Sequence, residues 1–172
     1  DLLGDKQKPT ESSFFNMLRG QVKAGSVLAH PVAYPLTTIE PGIAHGRLLG
    51  GNLSMIAAVM GTPYQIEAEG AILFIEDINE PLYRIDRLLT HLRLAGTLGK
   101  LRGVLVGDVA GVESAALARL LKQTFEPLRI PVLAGWRSGH CDPNLTLPMG
   151  ALVKLDAGNK VLVLEQDVVV KR

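Results

Sequence analysis

Short apolar runs separated by amphipathic stretches are the feature that most constrains this fold. Residues 71–75 (AILFI) and 103–109 (GVLVGDV) are rich in branched apolar side chains, which is typical of strands buried on both faces. Between them, residues 81–95 place leucine and isoleucine at helical spacing with charged residues around them. Strands that alternate with helices in this way predict an α/β domain with a parallel sheet.

The same alternation continues toward the C-terminus. Residues 114–125 predict a second helix and residues 130–135 a third strand. Residues 151–156 and 161–165 are apolar runs on either side of Ala-Gly-Asn-Lys, a pattern that favours an antiparallel β-hairpin. We therefore expect a short parallel sheet finished by a terminal β-hairpin.

The first sixty residues carry weaker signals. Residues 5–13 are polar, and Ser12 or Ser13 is a plausible N-cap for a short amphipathic stretch. Prolines at 31, 35 and 41 exclude a long helix and favour extended chain or an edge strand. Residues 46–54 contain three glycines and predict a turn, followed by a short helix over 55–60 that ends at Gly61.

Composition narrows the range of partners. The 172 residues are 47% apolar, which is enough for one substantial core. The net charge of +1 does not indicate binding to nucleic acid or to an anionic membrane. No apolar run approaches the roughly 20 residues that span a bilayer, and the first residues lack the order of a signal peptide. The single cysteine, Cys141, excludes an internal disulfide framework, so we expect a soluble, cytoplasmic chain.

Polar residues cluster where the predicted parallel strands end. Glu76 and Asp77 follow the first buried strand, Asp108 ends the second, and Ser138, His140 and Asp142 lie in the loop after the third. Ligands of parallel α/β sheets bind at this edge, where a carboxylate can fix the tautomer of a histidine base. Taken alone, each residue is better explained by a structural role, such as a helix N-cap pair or a loop histidine bonded to backbone.

The sequence contains no evident nucleophile for such a pair. No Gly-x-Ser-x-Gly turn occurs, and Ser54, the nearest approach, is better explained as a first-turn serine at a helix start. Cys141 is next to His140, but neighbours in sequence rarely reach nucleophile–base geometry. A metal site of His140, Cys141 and Asp142 is disfavoured because adjacent side chains diverge. We expect no metal and no cofactor.

An ordered series of motifs resembles the LD-carboxypeptidase family, which includes muramoyltetrapeptide carboxypeptidases and microcin-immunity peptidases. The match covers about residues 46–156, and the order of its motifs is more specific than any one of them. The motifs are GGNLS at 50–54, GTP at 61–63, ILFIEDINEPLYRIDR at 72–87, GH at 139–140 and NLTLPMG at 144–150.

The resemblance implies a serine peptidase with a Ser-Glu-His triad. Its Glu and His match Glu76 and His140; Glu80 is a competing carboxylate, but Glu76 is preferred because it ends the buried strand. The family's serine lies in a preceding Rossmann-like domain, and its Gly-x-Ser-Asp segment is absent from this chain. Residues 1–45 then correspond to the end of that domain and a linker, and 46–172 to a C-terminal catalytic β/β/α domain of the swivelling type.

The implied reaction is release of terminal D-alanine from murein tetrapeptide during peptidoglycan recycling, by a homodimer. This chain by itself is expected to be inactive. Gly51 and Asn52 are candidate substrate-binding residues, because backbone N–H groups at a helix start favour anions. Two alternatives stay open: a microcin-type immunity peptidase, in which Trp136 would stack on a nucleobase, and a noncatalytic binding or dimerisation domain.

Overall fold

The computed structural model describes residues 8–169, and within them the chain forms four α-helices and seven β-strands. Residues 1–7 of the predicted entry segment and residues 170–172 of the predicted C-terminal domain lie outside the described residues. The elements are α1 Lys8–Leu18, β1 Thr37–Glu40, β2 Ile43–Asn52, α2 Leu53–Ala58, β3 Ile72–Ile78, α3 Leu82–Leu94, β4 Gly103–Ala110, α4 Ser114–Phe125, β5 Val132–Ala134, β6 Leu152–Asp156 and β7 Val161–Leu164, with short 3-10 turns at Leu98–Lys100 and Glu126–Leu128.

All seven strands form one mixed sheet in the order β1-β5-β4-β3-β2-β6-β7. The four central strands, β5, β4, β3 and β2, are parallel, whereas β1 and the β6–β7 hairpin pair antiparallel at the two sides. The predicted α/β class, the parallel unit of three strands and two helices, and the terminal hairpin are therefore confirmed. The predicted edge strand is also confirmed, since β1 lies between Pro35 and Pro41 at the margin of the sheet.

Both faces of the central sheet are buried. In β3, Leu73 and Ile75 pack with the apolar side chains of α2, α3 and α4. Ile72 and Phe74 point the other way, toward the hairpin, Met17 of α1 and other apolar residues. This two-sided burial explains why β3 is a continuous apolar run instead of an alternating one.

The predicted glycine-rich turn at residues 46–54 is wrong, because this segment forms the second half of the long strand β2 and the start of α2. Gly46 and Gly50 serve close strand packing: a Cβ on Gly50 would collide with the backbone oxygen of Phe74, and one on Gly46 with that of Gly70. Only glycine lets β2 approach β3 so closely. The helix that follows begins at Leu53, two residues earlier than predicted.

Residues before 45 take part in the same sheet, through β1 and the first residues of β2. Val27 also bridges to Val163 of β7. The division of the chain into domains at residue 45 stays a prediction. Among residues 8–169, none of the helices has the length and apolarity needed to cross a bilayer.

Candidate active site

The site lies at the carboxyl ends of the parallel strands. Glu76 is in β3, Asp108 is in β4, and the loop of residues 136–146 after β5 carries His140. Since these strands are parallel neighbours, their carboxyl ends share one edge of the sheet. The topology therefore brings together polar residues that are far apart in sequence.

Glu76 and His140 are in direct contact. The Nδ1 atom of His140 lies 2.7 Å from Oε2 of Glu76, and the backbone N–H of His140 donates to the same oxygen at 3.2 Å. A carboxylate only accepts, so Nδ1 carries the proton and Nε2 of the neutral ring is left as the basic atom. The Glu76 side chain is 6% exposed and that of His140 is 50% exposed, so the carboxylate is fixed in the protein while the imidazole faces outward.

The surrounding charges favour the imidazolium form of His140. The hydrogen bond that His140 donates to Glu76, and then the negative charge of Glu76, raise the pKa of His140 above its usual value. Asp77 and Asp108 act in the same direction at longer range, and partial desolvation opposes them. The pair is thus suited to accept a proton and to stabilise the resulting cation.

Gly139 makes room for this contact. Its φ of 112° is a conformation that L residues rarely adopt, and a Cβ placed there would lie 2.5 Å from Oε2 of Glu76 and 2.8 Å from its Cβ and Cγ. A glycine before His140 is therefore required both by the backbone and by the carboxylate packed against it.

Asp77, next in sequence, has a separate role that the sequence did not distinguish. It is 3% exposed, and its carboxylate accepts hydrogen bonds from the backbone N–H of Ser54 (3.0 Å), the Ser54 hydroxyl (2.8 Å) and the amide of Asn52 (3.1 Å). Asn52 in turn caps α2 by accepting from the Met55 N–H at 3.0 Å. Ser54 is a first-turn serine, as predicted, and Asp77 organises the start of α2.

The predicted substrate-binding residues lie in three different environments. Gly51 is the second-last residue of β2 and has open space beside its Cα, whereas the side chain of Asn52 caps α2 and bonds to Asp77. Trp136 is 1% exposed, and its ring centroid lies 4.9 Å from that of His30. Their roles in binding stay predictions, and the burial of Trp136 weighs against stacking on a nucleobase.

The other candidates for the chemistry have partners other than His140. Glu80 pairs with Arg84 at 2.9 Å, and the Ser138 hydroxyl donates to the backbone oxygen of Leu145. The thiol of Cys141 bonds to the Pro143 oxygen, and burial raises its pKa, which disfavours the thiolate. Within residues 8–169, no serine hydroxyl hydrogen-bonds to His140, and no cluster of metal-ligating side chains forms.

Comparison with known proteins shows which proteins this chain is similar to. The family model described as "LD-carboxypeptidase C-terminal domain" matches residues 45–155. A probable murein peptide carboxypeptidase of Bacillus subtilis is 39% identical over 140 residues, covering 78% of this chain and 44% of the relative. The microcin C7 self-immunity protein MccF of Escherichia coli is 33% identical over 131 residues, covering 73% of this chain and 38% of the relative.

Solved structures show the same fold. Wild-type apo MccF superposes with a TM-score of 0.81 at 25% identity, over 97% of this chain and 58% of that one. A muramoyltetrapeptide carboxypeptidase from Oxalobacter formigenes gives a TM-score of 0.73 at 27% identity, over 93% of this chain and 55% of that one. The chain thus spans roughly half the length of the proteins it resembles.

Proposed function

This chain belongs to the LD-carboxypeptidase family, and we propose that it supplies the general base, His140, and the carboxylate that orients it, Glu76, to a serine peptidase. The observation that carries the proposal is the 2.7 Å contact between Nδ1 of His140 and the buried carboxylate of Glu76. A histidine held in this way, with half of its side chain exposed and no hydrogen bond to Nε2 within residues 8–169, has the geometry of the base in a catalytic triad.

In the proposed reaction, a serine from a segment outside this chain attacks the carbonyl carbon of the scissile peptide bond. Nε2 of His140 takes the serine proton, and Glu76 stabilises the imidazolium that forms. His140 then gives that proton to the nitrogen of the departing amino acid, and water releases the acyl group in a second, equivalent step. Backbone N–H groups beside the serine would hold the oxyanion.

The proposed substrate is murein tetrapeptide, and the bond broken is the L,D bond to its terminal D-alanine. Support comes from the murein and muramoyltetrapeptide carboxypeptidases that this chain resembles. We place the activity in cytoplasmic recycling of peptidoglycan, carried out by a homodimer. Because triad members act as a unit, residues 1–172 alone should not release D-alanine faster than the uncatalysed reaction.

The test joins this chain to the part of the Bacillus subtilis relative that it does not match and measures D-alanine release by mass spectrometry, with the intact relative as positive control. A His140→Ala change should lower the rate by on the order of 10⁴ to 10⁶-fold. His91→Ala, which removes an exposed histidine from the last turn of α3, is the matched control and should keep the rate. Full activity in the His140→Ala variant would refute the role of His140.

A second candidate substrate is an acyl-sulfamoyl nucleotide. The observation that favours it is the TM-score of 0.81 to MccF, which has also been solved in complex with glutamyl sulfamoyl guanosine. The same base and carboxylate would serve its cleavage. Competition between that compound and murein tetrapeptide in the joined protein separates the two substrates, and cleavage of neither would favour a noncatalytic binding or dimerisation domain.

A further inference from the structure

Helix α1 contacts the loop that carries His140 through two hydroxyl groups. Thr10 and Ser13 are three residues apart, so their side chains share one face of the helix. The hydroxyl oxygen of Thr10 accepts the backbone N–H of Asn144 at 2.8 Å, and that of Ser13 accepts the backbone N–H of Thr146 at 2.6 Å. These contacts span 134 and 133 residues of sequence.

From Asn144 the hydrogen bonds continue to His140. The side-chain oxygen of Asn144 accepts the backbone N–H of Gly139 at 3.2 Å. Gly139 precedes His140, whose own backbone N–H donates to Glu76. A continuous path therefore runs from the hydroxyl of Thr10 through Asn144 to the turn that presents the imidazole.

The start of the loop has a separate anchor. The guanidinium of Arg137 donates to the backbone oxygen of Asp142 at 2.6 Å, lies 3.4 Å from the Asp108 carboxylate, and stacks over the ring of Tyr34. This anchor fixes residues 137–142 to β4 and to the segment before β1. Leu145 is tied to this part of the loop by its N–H, which donates to the Arg137 oxygen at 2.7 Å, and by its oxygen, which accepts from the Ser138 hydroxyl, whereas α1 accepts the N–H groups of Asn144 and Thr146 on either side of it.

We propose that α1 braces the catalytic loop, with Thr10 and Ser13 acting as positioning residues that set His140 against Glu76. The inference rests on the proposed function of His140 and extends it to a helix outside residues 45–155, the part that the family model matches. A catalytic side chain displaced by about 1 Å loses much of its effect on the rate. Contacts that fix the loop of His140 should therefore affect catalysis.

The pKa of His140 is a direct readout of the brace. The charged groups that act on this ring are Glu76, Asp77 and Asp108. Replacing hydroxyls of α1 changes no charge, so a change in the pKa of His140 reports its position relative to Glu76. A merely structural role of α1 would lower stability and leave that pKa unchanged.

The variants are Thr10→Val, Ser13→Ala and their combination, and NMR titration of the His140 ring in the 172-residue chain is the measurement. We expect the pKa of His140 to fall toward its usual value in the double variant. Ser12→Ala, at an exposed neighbour on the same helix, should leave the pKa of His140 unchanged. The conservative variant Thr10→Ser with Ser13→Thr keeps both hydroxyl groups and should keep the elevated pKa. Circular dichroism checks folding, and the single variants serve if the double variant unfolds.

The Glu76→Gln variant distinguishes a failure of the brace from a failure of the proposed function of His140. If Glu76→Gln leaves the pKa of His140 unchanged, the proposed dyad fails. If Glu76→Gln lowers the pKa but the folded Thr10 and Ser13 variants do not, the brace alone is refuted. In the joined enzyme, we expect the double variant to lower kcat by about tenfold to 100-fold at constant KM; an unchanged kcat would also overturn the brace.

Discussion

Adding one methyl group to Gly139 should separate His140 from Glu76. A Cβ at Gly139 would lie 2.5 Å from Oε2 of Glu76, whereas ordinary contact begins at 3.4 Å. Relieving the collision requires a displacement of about 0.9 Å. The Glu76 Cβ, also only 2.8 Å away, is fixed to the buried strand β3, so the loop must move.

That displacement is enough to break the contact on which the site depends. Added to the 2.7 Å bond between Nδ1 of His140 and Oε2 of Glu76, it gives a separation of about 3.6 Å, beyond hydrogen-bonding distance. The pKa of His140 should therefore fall in Gly139→Ala, because the hydrogen bond that His140 donates to Glu76 is the largest cause of its elevation. NMR titration of the ring measures this change.

Gly111→Ala is the matched control. Gly111 has a φ of 92° against 112° for Gly139, but a Cβ there would meet nothing within 4 Å. Both variants should lose about 1–3 kcal/mol from backbone strain, lowering the melting temperature by about 2–4 °C for each kcal/mol. Gly139→Ala alone should lose stability beyond this strain, because of the collision with Glu76, and should change the pKa of His140. The reasoning is refuted if the two variants melt alike and both keep the pKa of the unaltered chain.

Two further substitutions test the carboxylates of β3. Because Glu76 raises the pKa of His140, it stabilises the fold below the unfolded-state pKa near 6.5, and this contribution is lost as pH rises through the folded-state pKa. Urea unfolding should therefore show a larger stability difference between the unaltered chain and Glu76→Gln at pH 5 than at pH 9; an equal difference would contradict this. Asp77→Asn should cost about 1–3 kcal/mol, since an amide donor would face the N–H of Ser54. Asp86→Asn on the exposed face of α3 should change stability by no more than about 0.5 kcal/mol, and equal losses would show that Asp77 does not organise α2.

Hydrophobic patterning alone was sufficient to predict the centre of this fold. Residues 72–75 of β3 are each at most 4% exposed, so burial on both faces left a continuous apolar run in the sequence. The buried residues of α3, Ile85, Leu89 and Leu92, form one stripe at helical spacing. Both signals are local, which is why their strands and helices were found without knowledge of any partner.

Strand β2 shows what local sequence patterns cannot predict. A glycine that forms a turn and a glycine that admits a neighbouring backbone look the same in sequence. The feature that distinguishes them at Gly50 is the Phe74 carbonyl of β3, which lies 24 positions further along the chain. Trp136 is a similar case, since its proximity to His140 in sequence does not reveal that its ring is buried against His30, and its role in binding stays a prediction.

The contact between Glu76 and His140 depends on a third such glycine. His140 follows β5 and Glu76 lies in β3, so the loop must cross the end of β4, which lies between them in the sheet. It crosses at Gly107, where a Cβ would lie 2.5 Å from the Ser138 oxygen, and the N–H of Asp108 bonds to that same oxygen at 3.1 Å. In sequence Gly107 is one more residue of an apolar strand. In the fold, its lack of a side chain leaves the space in which the loop crosses β4 and reaches β3. The position of the base therefore depends on a residue that takes no part in the chemistry.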